Sequence, residues 1–206
     1  MRFAELDAVT IDAFGTLVEL IDPVPALRNA LRERGIDRRE DVLHDALREE
    51  QTYYRGHLSE ARDPTSLAEL RVRCAAVFLD AAAADLPAEE FEPAFIASLR
   101  FRVLAGVEPA LRTLRDHGLA LAVVANWDIS LPGTLEELGL RRFFALVEPL
   151  AEKPSPAGLL RTLHRLAVEP GRTLHVGDEE GDERAAAGAG THYGPAPLAD
   201  AVAGIE

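Results

Sequence analysis

Five polar side chains, far apart along the chain, have the types needed to handle a charged group: Asp12, Asn126, Lys153, Asp178 and Asp182. Asp12 closes the run Val9-Thr10-Ile11 and is followed by Ala13-Phe14-Gly15-Thr16-Leu17. A carboxylate placed there can attack an electrophile, with the Thr16 hydroxyl beside it, or it can simply cap the next turn. Lys153 is the single lysine in the chain; every other basic residue among the 22 of Lys+Arg is arginine. A compact ammonium facing the nucleophile would lower repulsion between an anionic carboxylate and an anionic substrate. Asn126 can donate to a substrate oxygen. Asp178 and Asp182, with Glu179 between them, offer the hard oxygens that Mg²⁺ takes. The same acidic stretch can also be read as a solvated loop capping a helix that begins near Glu183.

These positions matter only if the chain brings them together, and the hydrophobic pattern predicts that it does. Asp7 to Asp12, Leu119 to Ala125, Phe143 to Val147 and Thr173 to Val176 read as strands, the apolar runs being suited to a sheet covered on both faces. Helices are expected over Gly106–Gly118, Leu131–Leu138 and Pro156–Leu166, alternating with those strands as a doubly wound parallel sheet requires. Asp12, Asn126, Lys153 and Asp178 each follow a strand, so a parallel sheet gathers them along one edge. Between the first strand and the next lie four helical segments, Pro25–Gly35, Arg39–His57, Leu67–Ala84 and Ala88 to about Phe101. A simple crossover needs one helix, so this block reads as an insertion. The expected architecture is α/β: a Rossmann-like doubly wound core over residues 1–17 and 103–206, with an all-helical cap over residues 18–102.

Composition narrows the partners. At 206 residues and 48% apolar content the chain can bury a sizeable core. A formal charge of −13 argues against nucleic acid or an anionic membrane as the main partner and leaves a small anionic substrate in a local basic pocket. One cysteine, Cys74, excludes an internal disulfide framework, and no apolar run is long enough for a membrane span, so a cytoplasmic location is expected.

Taken together the motifs resemble those of the haloacid dehalogenase-like hydrolase superfamily, in its members with a helical cap inserted after the first strand. Asp12-Ala13-Phe14-Gly15-Thr16-Leu17 looks like the first motif, Val124-Ala125-Asn126 the second, Lys153-Pro154 the third and Gly177-Asp178 through Asp182 the fourth. The resemblance implies attack by Asp12 on a phosphoryl group or a halogen-bearing carbon, giving an aspartyl intermediate that water hydrolyses. It implies Lys153 as the second catalytic residue, Mg²⁺ at Asp12, Phe14, Asp178 and Asp182, and substrate contacts at Phe14, Thr16 and Asn126. Capped members of such families are often monomers or dimers.

Two positions depart from the family pattern. Its phosphatases carry a second Asp two residues after the nucleophile, as general acid and base; here that residue is Phe14. The Ser or Thr that usually closes the second strand is Ala125. Its 2-haloacid dehalogenases also lack the second Asp and carry an aromatic there, because a departing halide needs no proton. The segment Arg48-Glu49-Glu50-Gln51-Thr52-Tyr53-Tyr54 resembles their cap helix, which makes Arg48 and Tyr53 candidate substrate contacts. Against dehalogenation stands Asp178, since those enzymes work without metal and have a neutral fourth motif. Three functions therefore follow: a Mg²⁺-dependent phosphatase acting on a small phosphorylated metabolite with a good leaving group, a dehalogenase-like hydrolase, or a weakly catalytic member that binds a ligand or partner. In that family the chain typically continues through another strand and helix where this one has only Thr191 to Glu206.

Overall fold

Ala8–Ile11 forms the central strand β1, and all four residues are buried because neighbours flank it on both edges and helices cover both faces. The computed structural model describes residues 1–206. β1 is followed in the chain by two short strands, β2 (Val18–Leu20) and β3 (Phe101–Val103), which pair as a separate two-stranded sheet. Then come β4 (Ala120–Val124), β5 (Leu146–Glu148), β6 (Thr173–Gly177) and β7 (His192–Pro195), which with β1 build a five-stranded sheet in the order β5-β4-β1-β6-β7. Every pairing in it is parallel. The chain moves outward from β1 through β4 to β5, then returns to the other side of β1 for β6 and β7. That reversal lies beside β1, and open α/β sheets bind ligands in the crevice such a reversal leaves at the strands' C-terminal ends.

The chain divides into two compact units, Met1–Glu19 with Arg102–Glu206, and Leu20–Phe101. The second is helical: α1 (Val24–Arg32), α2 (Glu40–His57), α3 (Pro64–Ala81) and α4 (Ala88–Ser98). Its core is built on Phe78, Phe91 and Phe95, none of them exposed, with Phe78 centred 6.1 Å from Phe91 and 5.3 Å from Phe95. α3 starts at a capping box: Asp63 accepts from the Thr65 and Ser66 amides at 2.9 Å each, and the Ser66 hydroxyl accepts from the Asp63 amide at 3.1 Å. The sheet unit carries α5 (Val107–Asp116), α6 (Leu131–Glu137), α7 (Ala157–Leu166), α8 (Glu180–Ala189) and α9 (Leu198–Ala203). It is a Rossmann-like α/β fold.

Four details differ from expectation. Phe101 ends no helix; α4 stops at Ser98 and Phe101 opens β3. The strand expected over Phe143–Val147 begins later, because Arg141–Phe143 winds as a 3-10 turn before β5. The acidic stretch is not a loop leading to a helix near Glu183: α8 already starts at Glu180, so Asp182 lies in its first turn. Finally, Thr191 to Glu206 does contain a strand and a helix, β7 of four residues and α9 of six.

Candidate functional site

The site is assembled on two adjacent strands in two layers. Thr10 of β1 pairs in register with His175 of β6, and one pleat further on Asp12 follows β1 as Gly177 closes β6, the Asp12 amide donating to the Val176 carbonyl at 2.9 Å. Side chains two apart on a strand share a face, so Thr10 and Asp12 point the same way, as do His175 and the vacant side of Gly177. Into that vacancy comes Asp182 from α8: a methyl group on Gly177 would lie 2.2 Å from the Asp182 carboxyl carbon. Gly15 has the same function for the neighbouring acid, since its positive φ of 78° turns the chain and a Cβ there would lie 2.1 Å from an Asp178 oxygen.

Lys153 closes the arrangement. Its ammonium donates to both Asp12 Oδ1 and Asp182 Oδ1, in a setting where the three side chains are 5%, 10% and 2% exposed. Asp182 makes two further hydrogen bonds: its Oδ1 also faces His175 Nε2 at 3.0 Å, and its Oδ2 accepts from the Glu179 amide at 3.1 Å. Asp178 is exposed at the rim and accepts from the Thr16 hydroxyl at 3.2 Å. Ligand oxygens of Asp12, Asp178 and Asp182 lie within 4.8 Å of one another.

The electrostatics follow from burial and from one cation shared among several anions. Burial pushes the Asp12 carboxyl up to about 7, opposed by Lys153 and reinforced by Asp182. For Asp182 burial also pushes upward, but the hydrogen bond from His175 and the nearby Lys153 outweigh it and bring the carboxyl down to about 2. Burial works to lower Lys153, and Asp12 and Asp182 together overcome it and raise it. Asp178 is raised by partial enclosure against the Thr16 hydrogen bond, with Asp182 and Glu179 adding to the rise. Burial holds His175 below its ordinary value, so the ring is neutral. Three carboxylates and one ammonium leave two negative charges when all are ionised. Hard oxygens with that residual charge fit a divalent cation such as Mg²⁺.

The lysine is held by its own backbone. The Asn126 carboxamide accepts from the Lys153 amide and donates to the Lys153 carbonyl, each at 2.8 Å. Both polar atoms of the residue expected to reach a substrate oxygen are therefore engaged with the lysine loop. The Ala125 and Trp127 carbonyls accept from the Ala151 and Leu150 amides at 3.1 and 2.9 Å. These bonds hold a path in which Leu150 and Glu152 adopt left-handed φ values of 52° and 59°, a strained course for residues with a Cβ.

Asp12, Thr16, Asn126, Lys153, Asp178 and Asp182 thus lie together on the sheet unit. Phe14, two residues beyond Asp12, is 43% exposed and bridges to Val18. Arg48 and Tyr53 belong to the helical unit, where Arg48 pairs with Asp45 and Tyr53 stacks on His57 at 3.9 Å. Sequence reading passed over two members of the network, Thr10 and His175. His175 is buried in its strand as a core residue should be, and nothing in its place in the sequence signals its bond to Asp182.

A parallel sheet with flanking helices, whose central strand ends in a buried, lysine-bridged carboxylate with two further acids beside it, defines the class: a Rossmann-like α/β protein with a charged cluster at its sheet edge. More narrowly, residues 6–190 match the family model described as haloacid dehalogenase-like hydrolase, and the chain belongs to that family of hydrolases. It is similar to the haloacid dehalogenase-like hydrolase domain-containing protein 3 of Bos taurus, 38% identical over 132 residues that are 60% of this chain and 53% of that protein. The chain thus spans about half the length of that relative. A phosphoglycolate phosphatase of Aquifex aeolicus is 40% identical over 86 residues, 39% of this chain and 40% of that one. The crystal structure of a 2-haloacid dehalogenase from Pseudomonas syringae shares the fold with a TM-score of 0.60 at 23% identity, over 91% of this chain and 85% of that one. No helix is long and apolar enough to cross a membrane.

Proposed function

We propose that the chain is a Mg²⁺-dependent phosphatase with Asp12 as nucleophile, acting on a small phosphorylated metabolite whose leaving group departs without protonation. The observation that carries this is the bridge from Lys153 to Asp12 and Asp182 with Asp178 in the same cluster. An ammonium against the nucleophile and two spare negative charges are the arrangement a dianionic substrate and a divalent cation require. Asp12, Asp178, the Phe14 carbonyl and Asp182 are the groups that would hold Mg²⁺, which would neutralise charge on the phosphoryl oxygens and orient them.

In the first step Asp12 forms a bond to phosphorus while the bond to the leaving oxygen breaks, its electron pair leaving with that oxygen. Lys153 offsets the charge that brings two anions together. Water then attacks phosphorus and the bond from phosphorus to the Asp12 oxygen breaks, its electron pair returning to the carboxylate; the phosphate leaves with one of the water's protons and the other passes to solvent. Phe14 can neither donate nor accept a proton, so acyl and aryl phosphates suit the first step, and the second proceeds without an aspartate base. With p-nitrophenyl phosphate and Mg²⁺ we expect a burst of nitrophenol close to one per enzyme, then slow turnover, both abolished by Asp12→Asn. A signal no larger than that of the Asp12→Asn variant would sink the phosphatase reading and favour a ligand-binding role.

One observation favours a second reading. An exposed aromatic at Phe14 suits a reaction whose leaving group is halide. Release of chloride or bromide from 2-haloacids in the presence of EDTA would establish it, and its absence would rule this second reading out.

A further inference from the structure

The buried imidazole of His175 and the Thr10 hydroxyl beside it are left without a duty by the proposed chemistry. The His175 ring is inaccessible to solvent and lies between β1 and α8, with Nδ1 2.9 Å from the Thr10 hydroxyl and Nε2 3.0 Å from Asp182 Oδ1. The tautomer follows from the partners. An ionised Asp182 can only accept, so the proton is on Nε2, and Nδ1 accepts from Thr10. A hydroxyl that donates to Nδ1 pins the ring about the axis that would otherwise let it turn.

We propose that His175 is a positioning residue: locked by Thr10, it fixes Asp182 Oδ1 at the point from which that oxygen holds the Lys153 ammonium against Asp12. The inference rests on the proposed role of Lys153 opposite the nucleophile. The geometry argues for it in three ways. Asp182 enters over Gly177, where no side chain supports it from the strand below, so its other contacts must set its position. Of those contacts, the Glu179 amide holds the opposite oxygen, Oδ2, and belongs to the same capping turn as Asp182 itself. His175 is therefore the only hydrogen-bond donor from the sheet to the oxygen that carries the lysine. And the ring is anchored in β1 two residues before Asp12, so nucleophile and ammonium are referenced to the same strand. Loss of such a supporting bond typically costs about 10–100-fold in activity at sites of this kind.

The test uses the fact that Lys153 is the only lysine. Labelling the protein with ¹³C,¹⁵N-lysine gives one set of side-chain NMR signals, readable without substrate or metal. With the ammonium fixed, the two Hε protons of Lys153 are expected to be inequivalent. His175→Phe fills the space without donating, and should make them converge as the lysine is released, while kcat falls about 10–100-fold with KM little changed. His175→Gln, whose carboxamide nitrogen can reach the place of Nε2, should restore both. Thr10→Val keeps the shape, loses the hydroxyl and should give an intermediate spectrum; if His175→Phe does not fold, this variant decides the matter. A Lys153 spectrum that is the same in wild type, His175→Phe and Thr10→Val would overturn the proposal, leaving His175 a filler of the core. Because the lysine signals do not depend on turnover, a protein that hydrolyses no phosphate ester but shows these shifts would sink the phosphatase reading and keep His175 as the positioner of Lys153.

Discussion

The two units of this protein differ in the charges they take out of water. In the helical unit the ion pairs join Arg28 to Asp37 and Glu40, Arg32 to Asp37, Arg39 to Asp41, Arg48 to Asp45 and Arg73 to Glu60. Partners lie at most 13 residues apart along the chain and mostly in solvent, where such pairs contribute about 0–1 kcal/mol. In the sheet unit Lys153 reaches 141 residues back to Asp12 and 29 forward to Asp182, with all three side chains largely withdrawn from water. Taking charges out of water costs several kcal/mol per ion unless geometry compensates, so an isolated fold has little reason to assemble such a trio. The sheet unit has exposed pairs of the same kind, Arg102 with Glu19 and Arg172 with Asp7 among them, so what sets it apart is the one trio it buries.

The sharpest way to break that contrast is to remove the shared cation. Lys153→Met leaves Asp12 and Asp182 buried with no ammonium between them. Activity on p-nitrophenyl phosphate is expected to fall about 10²–10³-fold, the cost of losing a charge-stabilising donor at a reacting oxygen. Stability at neutral pH should drop by about 3–5 kcal/mol, the usual consequence of stripping one partner from a buried pair. Added Mg²⁺ should recover part of the lost Tm, since the acids that remain still attract a cation. A Lys153→Met variant with wild-type Tm and activity would show that the trio is neither strained nor functional.

Next in size is a gain. Phe14→Asp supplies a proton donor two residues after the nucleophile at an exposed position where a carboxyl is easily accommodated. On alkyl phosphates, whose leaving oxygen must be protonated, kcat should rise about 10²-fold or more, and far less on p-nitrophenyl phosphate, whose leaving group needs no help. Equal changes on both substrates would mean that the missing acid is not what limits this site.

How far all this could be read beforehand depends on what each element leaves in the sequence. β1, β4 and β6 are buried on both faces and announce themselves as apolar runs. β2 and β3, three residues each and partly exposed, carry no such pattern, and β7 is half exposed with two glycine or proline positions. The strand-end acids and Lys153 were legible because parallel strands end on one edge. The early start of α8 was not, because Glu179 and Asp182 cap it reciprocally and acids in that role look the same as acids in a loop. Nor was the Asn126 clasp on Lys153: it depends on where two loops meet, and spacing holds no record of that. His175 shows the limit most clearly, since a histidine among apolar strand residues reads as core and is core, while its hydrogen bonds run to a residue on another element.

The smallest expected effect sharpens the comparison from the other side. The helical unit buries one carboxylate of its own, Glu50 on α2, at 5% exposure, and no ammonium is given to it. Burial pushes its carboxyl up to about 7, with a hydrogen bond to Cys74 opposing, so below that this acid is accommodated by keeping its proton. The sign of the pH dependence follows. Between the ordinary carboxyl range and about 7 the folded chain holds a proton that the unfolded chain has released, so stability contributed at this position falls as pH rises through that window. Below it both states are protonated and nothing is lost; above it the cost is fully developed, about 3 kcal/mol. Glu50→Gln cannot ionise, and should match wild type near pH 4.5 while exceeding it in Tm by a few degrees at pH 8. The difference between the two melting curves isolates Glu50 from every other titrating group. If that difference does not grow with pH, Glu50 is ionised in the fold, and the helical unit contains a compensating partner that its geometry does not suggest.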